Sequence, residues 1–204
     1  MNGDINNRIL SGATDLFLEY GFSKVSMDEI AEHVGVVKKT IYNHFPSKAV
    51  LVGEVIRTQI EHTIDHLDSI AGSSELNFIE KLEHIVEYLF QEFSSRKKHL
   101  FQEYYKYTSP DLQEKITPEI REHIVGLTQN LLREGIARGV VRKEVPEAVL
   151  PYLYITIVEG LTSLYGSTEI PFTPGELLLE LINLTFTGLL TPSGRTMLEQ
   201  RNSR

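Results

Sequence analysis

Cysteine and tryptophan are both missing from the 204 residues. Without cysteine there are no disulfides, no thiolate metal sites and no cysteine nucleophile. The absence fits a reducing cytoplasm, the compartment expected for this chain. Positive charge is scarce as well. Twenty Lys and Arg stand against 28 Asp and Glu, a formal charge of −8 with a pI near 5.4, so a globally basic nucleic-acid coat is excluded. No long apolar run occurs. The most apolar stretch, 148–158, contains Pro151 and falls well short of the ~20 residues needed to span a bilayer. Residues 1–10 have neither the basic start nor the apolar run of a secretory signal. A Gly-rich phosphate loop, a Ser nucleophile elbow, an HExxH motif and a carboxylate constellation are all lacking. The chain is therefore read as no enzyme, with no cofactor and no membrane partner.

What is present suffices for a packed interior: 41% of residues are hydrophobic, too many for a disordered acidic chain. The length suits one compact unit or two small ones. The acid excess is uneven. Residues 1–50 hold five Lys/Arg and six Asp/Glu, whereas 51–204 hold fifteen and twenty-two. From His33 to Gly53 there is no acid, only Lys38, Lys39 and Lys48 with two histidines. A positive window in an acidic protein points to one small anion-facing surface.

The periodicity is helical nearly throughout. Ile9, Ala13, Leu16, Phe17 and Tyr20 recur at amphipathic spacing, and Gly21 stops that helix. Ser26-Met27-Asp28-Glu29 is a capping box for a helix that turns Ile30, Ala31 and Val34 inward and ends near Gly35. A short helix from about Lys38 to Phe45 is closed by Pro46, and Ser47 caps the next, through Leu51 and Val55 toward Ile70. Ser74 is expected to cap a helix through Leu82 to Phe93, and Leu100–Tyr107 forms another. Thr117-Pro118-Glu119 reads as a helix start, with Ile120, Ile124, Leu127 and Leu131 along one face. Pro146 is expected to open a helix ending near Gly166, with a kink at Pro151. Thr173-Pro174-Gly175-Glu176 opens the last, to about Leu190, and the tail after Thr191 is expected to fray. The class is all-α, with about nine helices.

Two short helices joined by Gly35-Val36-Val37, the second carrying lysines, fit a helix-turn-helix. Ile30, Val34, Val36, Ile41 and Phe45 can bury, leaving Lys38, Lys39, Thr40, Tyr42, Asn43 and His44 to face outward. That mix of cations, hydroxyls and an amide suits phosphates and base edges. On spacing alone, a small bundle with a solvated lysine face fits as well.

The residues go further. The run Ser26–Leu51, SMDEIAEHVGVVKKTIYNHFPSKAVL, resembles the DNA-binding signature of the TetR family of transcriptional regulators. The matching features are Ser26 through Ala31, Gly35-Val36, Thr40-Ile41-Tyr42, His44-Phe45 and Ser47-Lys48 followed by Leu51. Ala13, Leu16-Phe17 and Tyr20-Gly21-Phe22 look like that family's first helix and turn. The resemblance covers about residues 8–55 and implies an N-terminal helix-turn-helix domain (1–50) followed by a helical effector-binding and dimerisation domain (51–204). It implies a homodimer on palindromic operator DNA. Lys38, Lys39, Thr40 and Asn43 are then candidates for base or adjacent phosphate contact. Tyr42, His44 and Lys48 would hold phosphates, and Ser26 would place a helix N-terminus against the backbone. Plainer roles stand beside these: Tyr42 as packing, His44 as a solvated histidine, Ser26 as a cap only.

Two positions depart from the pattern. Val37 stands where Ser or Thr is common and cannot cap, at a typical cost of ~1 kcal/mol. Lys39 replaces a small residue. Arg8 is the sole cation of the N-terminal segment, which argues against minor-groove reinforcement.

Beyond Val55 the resemblance fades, although Gly135–Val141 followed by Pro146-Glu147, and Glu159-Gly160-Leu161, are typical of these regulators. Their last two helices form a four-helix dimer interface, which here implicates Leu153, Ile157, Gly160, Leu161, Leu178, Leu181, Ile182 and Thr185. The breadth of apolar residues from Leu177 to Leu190 exceeds one buried stripe. Phe90, Phe93, Phe101, Tyr104, Tyr105 and Tyr154 could line an apolar or aromatic effector pocket, or serve as ordinary core aromatics. His62 and His66 lie at i,i+4, a spacing able to hold a metal, but no third ligand follows, and surface histidines are the simpler reading. The function implied is a repressor released by a small molecule. The competing readings are a TetR-like coactivator that binds protein and a chromosome-associated factor.

Overall fold

The computed structural model describes residues 2–92, 110–167 and 171–202. Among them lie nine helices: α1 (Asn2–Tyr20), α2 (Met27–Val34), α3 (Lys38–His44), α4 (Lys48–Gly72), α5 (Phe78–Glu92), α6 (Pro110–Ala137), α7 (Leu150–Ser167), α8 (Pro174–Leu189) and α9 (Pro192–Asn202). The described residues form no strand beyond one isolated antiparallel bridge, Val141 to Leu190. The all-α class holds.

Local chemistry sets most helix ends. The Ser26 hydroxyl accepts from the Glu29 N–H, and the Ser26 N–H donates to Glu29 Oε2 at 2.6 Å, so both halves of the capping box form. Gly35 ends α2 at φ 72°, and its N–H reaches the Ala31 and Glu32 carbonyls. Only glycine enters that left-handed region without strain. Ser47 caps α4 through the Val50 N–H, and Thr173 forms a second capping box with Glu176.

Several sequence expectations are corrected. α5 is capped by Asn77, not Ser74: Asn77 Oδ1 accepts from Ile79 and Glu80, and Glu80 returns the bond to the Asn77 N–H. α6 starts at Pro110 and carries Pro118 inside it, since one missing N–H does not end a long helix. Among its described apolar side chains Val125 and Leu132 are buried, while Ile120, Ile124, Leu127 and Leu131 are half-buried. α7 opens at Leu150, so Pro151 sits in the first turn, where no intrahelical donor is needed and no kink follows. The segment after Thr191 is helical rather than frayed, because Thr191 Oγ1 accepts from the Gly194 N–H at 3.1 Å. The helix expected at 100–107 lies outside the described residues.

Two apolar cores result. The first joins Ile9, Ala13 and Phe17 of α1, Phe22 and Val25 of the turn, Ile30 of α2, Ile41 of α3 and Leu51, Val52 and Val55 of α4. Each of the Val, Leu, Ile and Phe side chains among them contributes about 1.5–3 kcal/mol by leaving water. Phe17 and Phe22 meet edge to face at 4.9 Å. The second core gathers Phe78 and Ile79 of α5, Leu132 of α6, Val140, Val141 and Val145 of the following loop, and Leu189 and Leu190. α4 belongs to both halves: its start lies in the first core, and its length packs on α5 and α6.

Candidate nucleic-acid interface

α3 is held from behind and open in front. Ile41 is fully buried and Phe45 nearly so, fixing the helix to the first core. Lys38 and Tyr42, and Lys39 and Asn43, are i,i+4 pairs and therefore share one face; all four are exposed. Thr40, His44 and Lys48 are half-buried at its margin. Seven residues suffice for this because burial of Ile41 and Phe45, not intrinsic propensity, holds the helix.

The start of α3 is uncapped by any side chain. Val37 has the extended geometry of an N-cap (φ −78°, ψ 145°) but offers no acceptor and is 70% exposed. Ser26 is exposed, and its hydroxyl accepts from the Glu29 N–H. The backbone N–H and the hydroxyl of Ser26, in that order of weight, hold the Glu29 carboxyl below the usual carboxylate range.

The window that is acid-free in sequence is not acid-free in space. Lys38 Nζ lies 2.7 Å from Asp28 Oδ2 on α2, and that hydrogen bond raises the lysine above its ordinary pKa. Asp28 is the functional neighbour that linear reading misses. Its ten-residue separation from Lys38 is bridged only when the turn at Gly35 folds α2 against α3. Arg8 is also accounted for: it lies within α1, and Nη2 donates to the Val34 carbonyl at 2.9 Å. Gly12 completes this junction, since a Cβ there would stand 2.5 Å from Val34 Cγ2.

The second half is placed less fully. Of the aromatic set, Phe90 is exposed and Tyr154 half-buried, while Phe93, Phe101, Tyr104 and Tyr105 lie outside the described residues. Tyr154 Oη and Thr185 Oγ1 are 2.5 Å apart, tying α7 to α8. Burial pushes the Tyr154 phenol up, and the Thr185 bond partly offsets that. A cleft of about 410 Å³ opens elsewhere, between α4 and α5, lined by His66, Ile70, Leu76, His84, Glu87, Tyr88 and Gln91. There the His66 and Tyr88 rings lie 4.1 Å apart. Among the described residues no three His, Cys, Asp or Glu side chains are grouped to hold a metal.

On the last two large helices Leu153, Ile157, Tyr152 and Leu184 are exposed, as is Val149 just before α7. Leu181 and Thr185 are half-buried, whereas Ile182 is buried within the chain. Among the described residues nothing comes within 4 Å of a Cβ built on Gly160 or Gly188. The side chains of Leu161 and Leu178 lie outside the described set. No helix among the described residues is long and apolar enough to cross a membrane.

Comparison with known proteins matches this geometry to a family. Residues 9–55 match the family described as bacterial regulatory proteins, tetR family. The uncharacterized HTH-type transcriptional regulator YhgD of Bacillus subtilis (strain 168) is 28% identical over 166 residues, covering 78% of this chain and 84% of that protein. The solved structure of the fatty acid degradation regulator FadR from Bacillus halodurans superposes with a TM-score of 0.64 at 19% identity, covering 90% of this chain and 98% of the other. NalD, the secondary repressor of the MexAB-OprM multidrug efflux pump in Pseudomonas aeruginosa, gives 0.64 at 19% identity, over 94% of this chain and 100% of its own. The matched segment holds the buried Ile41 and the exposed face of α3, and the likeness in fold runs on through the second core. Residues 9–55 thus carry the helix-turn-helix segment of the tetR family of bacterial regulatory proteins, and the fold of the described residues is the one seen in solved structures of regulators of that kind.

Proposed function

We propose that this protein is a ligand-responsive repressor that binds palindromic DNA as a homodimer in the cytoplasm and is released by an apolar or aromatic small molecule. The observation that carries the DNA half is the polar face of α3, exposed over a fully buried Ile41. In this reading Lys39, Thr40 and Asn43 meet base edges or adjacent phosphates, as does Lys38. Tyr42, His44 and Lys48 hold phosphates, and Ser26 sets the start of α2 against the backbone. Residues 1–50 form the DNA-binding domain and 51–204 the effector and dimer domain.

The exposed apolar side chains Leu153, Ile157 and Leu184 support dimerisation through α7 and α8, because monomers rarely leave such a patch in water. Leu161, Leu178, Leu181 and Thr185 would join them. A dimer uses each cation twice, so a few lysines suffice for phosphate neutralisation. An effector would favour a conformer whose paired α3 helices no longer match major grooves ~34–36 Å apart, with α4 carrying the shift. The fold shared with the NalD repressor supports repression.

Two measurements test the reading. Sedimentation should give a dimer for the wild type and a monomer for the doubly substituted Leu153→Glu, Leu184→Glu chain. Genomic DNA recovered with the purified protein should contain one or a few palindromes; many dispersed sites without symmetry would contradict repression.

A further inference from the structure

We infer that Asp28 sets the electrostatic strength with which this protein holds DNA, by occupying Lys38 while the protein is free. The inference rests on α3 as the DNA-facing helix. Lys38 opens that helix, and its ammonium is 2.7 Å from the Asp28 carboxylate. Both side chains are well exposed, at 47% and 67%, so solvent and a phosphate can reach them equally. An exposed pair of this kind adds little to folding. Its position matters more. The segment from His33 to Gly53 contributes three lysines and no acid, and Asp28 reaches in from α2 to cancel one of the three.

The consequence follows from Coulomb's law. A phosphate that takes Lys38 must displace Asp28, and the displaced carboxylate then faces a polyanion. Either the lysine stays home and is lost to DNA, or it leaves and exposes a repulsive charge. Both outcomes weaken binding to every duplex alike, because phosphate contacts carry no sequence information. Non-specific affinity is mainly this electrostatic component. Asp28 therefore lowers attachment to arbitrary DNA while leaving Lys39, Tyr42 and Asn43 to read a site. In a dimer the effect acts in both copies.

The test needs no operator. A fluorescein-labelled duplex of mixed sequence, about 30 bp so that successive major grooves are present, is titrated with the full chain by anisotropy between about 50 and 200 mM KCl. Asp28→Asn should tighten binding about three- to tenfold and steepen the log–log salt slope by up to ~0.9 per subunit. Asp28→Glu keeps the charge and should stay near wild type. In a Lys38→Gln background, Asp28→Asn should bring little further gain. The inference is overturned if Asp28→Asn leaves affinity and slope unchanged, or weakens binding as a purely structural residue would. It is also overturned if the gain persists undiminished without Lys38, or if Asp28→Glu tightens binding as much as Asp28→Asn. A wild type that binds no duplex at the lowest salt would remove the reading of α3 along with it, whereas loss of the Asp28 effect alone leaves that reading standing.

Discussion

Lys81 Nζ lies 2.9 Å from Glu134 Oε2, a pair that bolts α5 to the end of α6 beside the second core. The two partners are not equivalent. Lys81 is buried and Glu134 is its ion-pair partner, whereas Glu134 also has Arg138 Nε at 2.9 Å. Glu134→Leu strands a buried ammonium and should cost about 3 kcal/mol. Lys81→Met leaves Glu134 with Arg138 and should cost only about 1 kcal/mol. Urea denaturation of the two variants checks the order; equal costs would mean the pair is solvated.

Gly12 of α1 packs against the end of α2. A methyl there meets Val34 Cγ2 at 2.5 Å and His33 Cδ2 at 3.2 Å, so Gly12→Ala should destabilise by about 1–2 kcal/mol despite better helix propensity. Among the described residues, Gly126 in α6 has nothing within 4 Å of its Cβ position. Gly126→Ala should instead stabilise by about 0.5–1 kcal/mol. Melting temperatures moving in opposite directions are the expected result.

Val37→Thr should supply the missing cap. The backbone at Val37 already has N-cap geometry, so the hydroxyl needs no rearrangement to accept from the first turn of α3. A gain of about 1 kcal/mol is expected in thermal unfolding. The same change bears on DNA, because a more ordered α3 loses less entropy on binding.

Glu29 gives a pH signature. Its carboxyl is held below the usual range by Ser26, so its contribution to stability is present at neutral pH and above the ordinary carboxylate range. That contribution is lost as pH falls through the lowered folded value. Glu29→Gln keeps an acceptor for the cap and removes the titration. The difference in melting temperature between wild type and Glu29→Gln should therefore be present at neutral pH and shrink in acid.

How much of this was legible depends on how local each cause is. Ser26-x-x-Glu29 and Thr173-x-x-Glu176 are complete within four residues and were readable as helix starts. Asn77-x-x-Glu80 carries the same signature, and Thr191-Pro192 joins a cap to a first-turn proline without the acid; the competing Ser74 and the polar tail obscure the two in sequence. Pro118 is ambiguous in sequence, because a proline suits the start of a helix but does not by itself break a long one. The α3 face was legible from composition and spacing. Asp28 on Lys38, Arg8 on the Val34 carbonyl and the Val141–Leu190 bridge were not, since each joins residues that only the folded chain brings together.

The central claim is that the exposed face of α3 is what grips DNA. The most direct test substitutes Lys39, Tyr42 and Asn43 together by alanine, leaving Ile41 and Phe45 untouched. Circular dichroism first verifies that the melting temperature is retained. Genomic fragments recovered by the wild type are then offered to both proteins in a gel shift. The expected result is loss of the shifted band with an unchanged melt; an equally strong shift from the triple variant would contradict the account.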